Sequence, residues 1–83
     1  MTLQKINALL LTINFMIELR QHMSKNSVAK NVKYCSRATA YRHIDILIKL
    51  NMLSVEFNLI LQVDEVSITK AGMDFLHNYP KLV

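Results

Sequence analysis

Val28-Ala29-Lys30-Asn31-Val32-Lys33-Tyr34-Cys35-Ser36-Arg37-Ala38-Thr39-Ala40-Tyr41-Arg42-His43-Ile44 is the stretch that decides how this chain is read. Val28, Ala29 and Val32 fall on one side of a short helix expected over about Ser27 to Lys33. Tyr34-Cys35 then reads as a turn. Ser36 is a good helix cap, because its hydroxyl can accept from the free N–H groups of a first turn. The helix it opens is expected to run to about Leu50, with Ala40, Ile44, Leu47 and Ile48 inward. Asn51 suits its end, since Asn tolerates the left-handed conformation. Cys35 is expected in a small apolar slot before the cap and His43 on the helix surface. Asp45 is expected to pair with Lys49 at i,i+4.

Upstream, Ser24-Lys25-Asn26-Ser27 is a polar break rich in capping residues. Before it, about Thr2 to His22 has helical spacing. Leu3, Ile6, Leu10, Ile13 and Ile17 form one apolar stripe, which Leu9 and Met16 widen. Ala8, Phe15 and Leu19 form a second, separate stripe. One stripe can face a core. The other is covered either by the rest of the chain or by a second copy, and the expectation is a homodimer interface at Ala8, Phe15 and Leu19.

Downstream, the period changes from helical to two. Leu53, Val55 and Phe57 alternate with Ser54, Glu56 and Asn58, and Val66 and Ile68 alternate with Glu65, Ser67 and Thr69. Two half-buried strands joined as an antiparallel hairpin are the simplest outcome. No Gly, Pro or Asn-Gly pair marks the turn, and Leu59-Ile60-Leu61 lies near its tip. Thr69 can cap a last helix through Tyr79, with Met73, Phe75 and Leu76 available for packing and Pro80 ending it. The order is helix, helix, turn, helix, strand, strand, helix. It describes a mainly α chain with a small β-hairpin, an α+β class, as one domain over residues 1–83.

Charge narrows the partners. The net charge is +4, and its distribution is uneven. Residues 20–49 hold seven basic residues against the single acid Asp45, and the remainder holds three against five. A cation surplus confined to one segment suits an anionic partner there. One cysteine excludes an internal disulfide and a cysteine-rich metal site. His22, His43 and His77 have no metal-ligand spacing, no glycine-rich phosphate loop is present, and no nucleophile has a recognisable base. No enzyme activity, cofactor, metal or small-molecule effector is expected. The apolar run Ala8 to Ile17 is too short and too interrupted for a membrane span of roughly 20 residues. No small-residue cleavage region follows it. An intracellular, cytoplasmic protein without a membrane segment is expected.

The Ser36-Arg37-Ala38-Thr39-Ala40-Tyr41-Arg42-His43-Ile44 run resembles the helix-turn-helix of bacterial, archaeal and phage winged-helix transcription regulators. Ile68-Thr69-Lys70-Ala71-Gly72 is similar to the Leu-Thr-x-x-Gly that opens the last helix of MarR-like and PadR-like regulators. The resemblance spans about Val28 to Leu76. It departs at the inter-helix turn, where a glycine is usual and Tyr34 stands. It implies a winged helix-turn-helix fold, double-stranded DNA as partner, and residues 36–50 as the recognition helix. Ser36 would cap that helix, with Thr39 and Arg42 beside the duplex. A helix of this kind fits the major groove, and side chains near its N-terminus reach base edges. Arg37, Tyr41 and Arg42 are placed to do so, while Lys30 and Lys33 suit phosphate contacts. The hairpin fits less well. It offers Glu56, Asp64, Glu65 and an apolar run, with no cation between Lys49 and Lys70. It is therefore expected to add little DNA affinity, its apolar run packing internally or meeting a partner. Two rival readings follow: a winged-helix module that binds protein as an adaptor or inhibitor, and a DNA-binding component of a replication or partition complex.

Overall fold

Thr2 opens the first helix, its hydroxyl accepting from the Lys5 N–H at 3.2 Å. The computed structural model describes residues 1–82, and in it this helix, α1, runs Leu3–Glu18. It stops four residues before the expected His22. Arg20 turns left-handed at φ 55, and the last carbonyls are closed by Arg20 N–H to Ile17 O (3.0 Å) and Gln21 N–H to Met16 O (2.9 Å). This is the 6→1, 5→2 bond pair that usually recruits glycine. No glycine marks the position, so apolar spacing alone carried the expected helix too far.

The second helix, α2, spans Lys25–Asn31 and is capped by Ser24, whose hydroxyl accepts from the Ser27 N–H at 3.1 Å. It starts and ends two residues earlier than expected, because Ser24 and not Ser27 is the cap. The third, α3, spans Arg37–Lys49 with Ser36 as its cap. Five residues, Val32 to Ser36, therefore connect α2 to α3, and none of them has a positive φ. That longer connection removes the need for a glycine, so Tyr34 is accommodated without strain. At the far end Asn51 is left-handed at φ 60, as expected. Its N–H bonds Ile48 O, and Met52 N–H bonds Leu47 O.

Strands β1 (Leu53–Asn58) and β2 (Val63–Ile68) pair antiparallel from Leu53↔Ile68 to Asn58↔Val63. Asn58 builds the turn that sequence left open. Its side-chain oxygen accepts from the Ile60 and Leu61 N–H groups, both at 2.9 Å, and Gln62 closes the loop at φ 53. On its other edge β2 meets the segment before α2, through a Ser24↔Glu65 bridge and a 2.7 Å bond from Val66 N–H to Met23 O. The last helix, α4, runs Lys70–Leu82. Thr69 caps it, accepting from Gly72 N–H at 3.1 Å. Pro80 does not end it, since the helix continues to Leu82.

One apolar cluster joins these elements. Ile6, Leu9, Leu10, Ile13 and Met16 supply the α1 side, Val28, Ala29 and Val32 come from α2 and its end, and Ala40, Ile44 and Leu47 come from α3. Leu53 and Val66 anchor the hairpin root, and Phe75 and Leu76 of α4 pack against the cluster. Leu3 and Ile17, placed inward by spacing, are exposed, since they lie on the margins and the end of the buried stripe. The architecture is α+β, four helices and a two-stranded antiparallel hairpin, a layout compatible with a winged helix. No described helix is long and apolar enough to cross a membrane.

Candidate nucleic-acid interface

The start of α3 is a small network built from its cap. Ser36 Oγ accepts from the Thr39 N–H at 3.3 Å and donates to Thr39 Oγ1 at 3.1 Å. Thr39 Oγ1 also accepts from Arg42 Nη2, at 3.5 Å. Spacing of three residues stacks Ser36, Thr39 and Arg42 along one flank of the first two turns, and the bonds hold the arginine against the helix. Because Ala40, Ile44 and Leu47 are buried, the helical repeat turns Ala38, Arg42, Asp45 and Lys49 outward. All four are exposed, as are Ser36 and Arg37.

The other expected contact residues divide. Lys30 is exposed on the last turn of α2. Lys33 is exposed in the connection and lines a groove against Leu11, Thr12, Phe15 and Glu18 of α1, so it borders the α1 face as well as the helix pair. Tyr41 is half-buried and packs on the core. Asp45 does not pair with Lys49. It accepts from Lys25 Nζ at 3.0 Å, because α2 packs against α3 and brings its first turn alongside. The lone acid of the basic segment is thus matched by a lysine of the preceding helix, and it is the only ion pair among the described residues.

His43 is half-buried, where a surface position was expected. Its Nδ1 lies 2.7 Å from Tyr34 Oη, and the two rings stack with centroids 5.7 Å apart. The pair ties the connection to α3 and explains why an aromatic stands there. Burial, followed by the charges of Lys5, the N-terminus and Arg42, lowers the His43 pKa from its ordinary value. Burial, and then Cys35, pushes Tyr34 up to about 12. No spacing rule links residues nine apart across a turn, so the sequence carried no signal for this pair.

The hairpin tip is bare. Leu59 and Ile60 are 81% and 92% exposed, which corrects the alternative that the run packs internally. Glu56 and Asp64 are exposed, while Glu65 is half-buried and accepts a hydrogen bond from Asn58 Nδ2. Along α1, Phe15 and Leu19 are 61% and 52% exposed, and Ala8 is half-buried. Leu11, 50% exposed, belongs to the same row. The i,i+4 series Leu11-Phe15-Leu19 was present in the sequence and marks the face better than Ala8 does.

Among the described residues no group of three or more His, Cys, Asp or Glu side chains is placed to hold a metal ion. Compared with known protein families, characterised proteins and solved structures, the chain matches none.

Proposed function

We propose that the chain is a winged helix-turn-helix that binds double-stranded DNA sequence-specifically, as a small dimeric transcription regulator, with α3 in the major groove. The observation that carries this reading is the start of α3. Arg37 and Arg42 stand exposed on its first two turns, the second braced by the Ser36–Thr39 pair, while the one nearby acid is bound to Lys25. An exposed, cation-bearing helix N-terminus is a surface that suits phosphates and base edges. Arg37 and Arg42 would read guanine edges or bind phosphate. Lys30, Lys33 and Tyr41 flank them, and Ser36 and Thr39 set the helix start. A two-fold dimer places two such helices about 34 Å apart along the duplex, matching one helical turn. The exposed row Leu11-Phe15-Leu19, with Ala8 at its edge, is the surface that would meet the second copy.

A salt titration of duplex binding tests the reading. Affinity is expected to fall steeply with salt. The log–log slope should become shallower by about one for each phosphate contact that Arg37→Ala or Arg42→Ala removes. Absence of duplex binding at about 50 mM salt overturns it. A specific observation favours a second reading, a module that binds protein: the exposed apolar tip with acids behind it. That reading is selected if both arginine variants leave the function unchanged while substitutions at residues 59–61 abolish it.

A further inference from the structure

Two apolar features of opposite shape are left uncovered, and one copy carries both. The first is a knob. Leu59-Ile60-Leu61 protrudes from the hairpin, and Asn58 accepts from two of its three backbone N–H groups. The loop is therefore held in one form with its side chains in solvent. The second is a groove of about 560 Å³ beside α1, lined by Leu11, Phe15 and Met16 with Thr12 and Asn14.

We propose that the knob of each copy seats in the α1 groove of a second copy, and that this reciprocal exchange forms the two-fold dimer. The inference rests on the dimer reading above and supplies its geometry. Charge selects the occupant. Glu56 and Asp64 are exposed at the base of the knob, and the hairpin has no cation. Two hairpins repel each other, and a phosphate backbone repels the hairpin. The groove offers the missing counterparts. Lys33 stands on its rim, and the Asn14 and Asn31 amides can donate to carboxylates; Glu18 is the rim's one acid. Direct packing of α1 on α1 would leave the knob in water. Exchange covers both features in one step, and a reciprocal two-fold contact closes the assembly at two, where a one-way contact of knob into groove would run on into a chain. Arg37 and Arg42 are not among the groove's lining residues; Lys33 is, and in this dimer it would face the carboxylates, leaving phosphate contacts to Lys30 and the arginines.

Sedimentation, cross-linking and duplex binding of the full chain test this together. Ile60→Asp is a safe variant, since the side chain makes no core contact. It is expected to weaken dimerisation at least about 100-fold while the monomer keeps its circular dichroism and its salt-dependent duplex binding. In a Cys35→Ser background, Ile60→Cys mixed with Phe15→Cys is expected to form a disulfide heterodimer in high yield. Three outcomes overturn the proposal. If Ile60→Asp remains dimeric and Phe15→Cys links only to itself, the α1 faces meet directly; the dimer reading stands and the exchange falls. If the unsubstituted chain is a monomer at tens of micromolar, both fall. If Ile60→Asp keeps the dimer but loses duplex affinity or duplex bending, the knob is a DNA wedge.

Discussion

Gly72 shows how one residue sets the join between elements. A Cβ there would stand 2.3 Å from the Met52 carbonyl oxygen and 2.7 Å from Ile68 Cγ2. The first turn of α4 therefore lies directly on the turn that follows α3, where Thr69 Oγ1 also donates to Asn51 O at 2.5 Å. Alanine is the better helix former in isolation, yet Gly72→Ala is expected to destabilise the protein by about 2 kcal/mol or more, as overpacking against backbone cannot relax. Urea unfolding midpoints measure it. Arg20 is the opposite case. Its left-handed φ of 55 is a conformation that glycine adopts without penalty, so Arg20→Gly is expected to raise stability by about 1 kcal/mol in the same assay. His43 adds a pH dependence. Its folded pKa is lowered, so the folded state prefers the neutral ring. The stability this contributes is complete above the ordinary value of 6.5 and is lost as pH falls through the lowered one. Melting temperature is expected to drop below about pH 6.5, and less so in His43→Phe, which keeps the stack on Tyr34.

At the scale of elements, α3 divides along its length into a buried face and an exposed, basic start. Its buried positions, Ala40, Ile44 and Leu47, belong to the core, and its first two turns carry the exposed arginines. Ser36 serves both. Ser36→Ala is expected to cost about 1 kcal/mol of stability, typical of a lost N-cap. It is also expected to weaken duplex binding by more than that stability loss explains, because Thr39 and Arg42 lose their support. A chevron and a binding titration on one preparation separate the two effects. The hairpin carries Glu56, Asp64 and Glu65 and no cation, so in the proposed reading it would add little to duplex binding. Glu56 stands directly across from Glu65 in the register, and like charges so placed disfavour pairing. The ladder holds because Glu65 is tied to Asn58 and the Ser24 segment. Asp64, outside these contacts, is the clean probe: Asp64→Ala is expected to leave duplex affinity within about twofold.

For the whole molecule, size is the governing fact. A chain of 83 residues buries only about 60–65% of the surface its unfolded form exposes. Much of the apolar surface it keeps in water lies in two places, the α1 row and the hairpin tip. In the proposed dimer, a second copy that covers them would stabilise the fold by mass action. Melting temperature is therefore expected to rise with protein concentration across the dimerisation range, and to lose that dependence in Phe15→Asp. The basic segment and the acidic hairpin sit on one small body, so in the proposed reading the duplex would meet the arginines of α3 while the hairpin would turn to protein.

The sequence by itself determined the element order, the inward face of α3, the caps at Ser36 and Thr69, the left-handed Asn51 and the two strands. These depend on residues within about four positions of one another, where hydrophobic period and hydrogen-bonding side chains act locally. The cluster of cations was legible for the same reason, as was the surplus apolar row of α1. Tertiary structure alone decided the rest. It gave Asp45 to Lys25 instead of Lys49, joined Tyr34 to His43, and made Gly72 a contact with Met52. It also left residues 59–61 in solvent. Each of these is set by the distance between segments far apart in the chain, and no local pattern encodes such a distance.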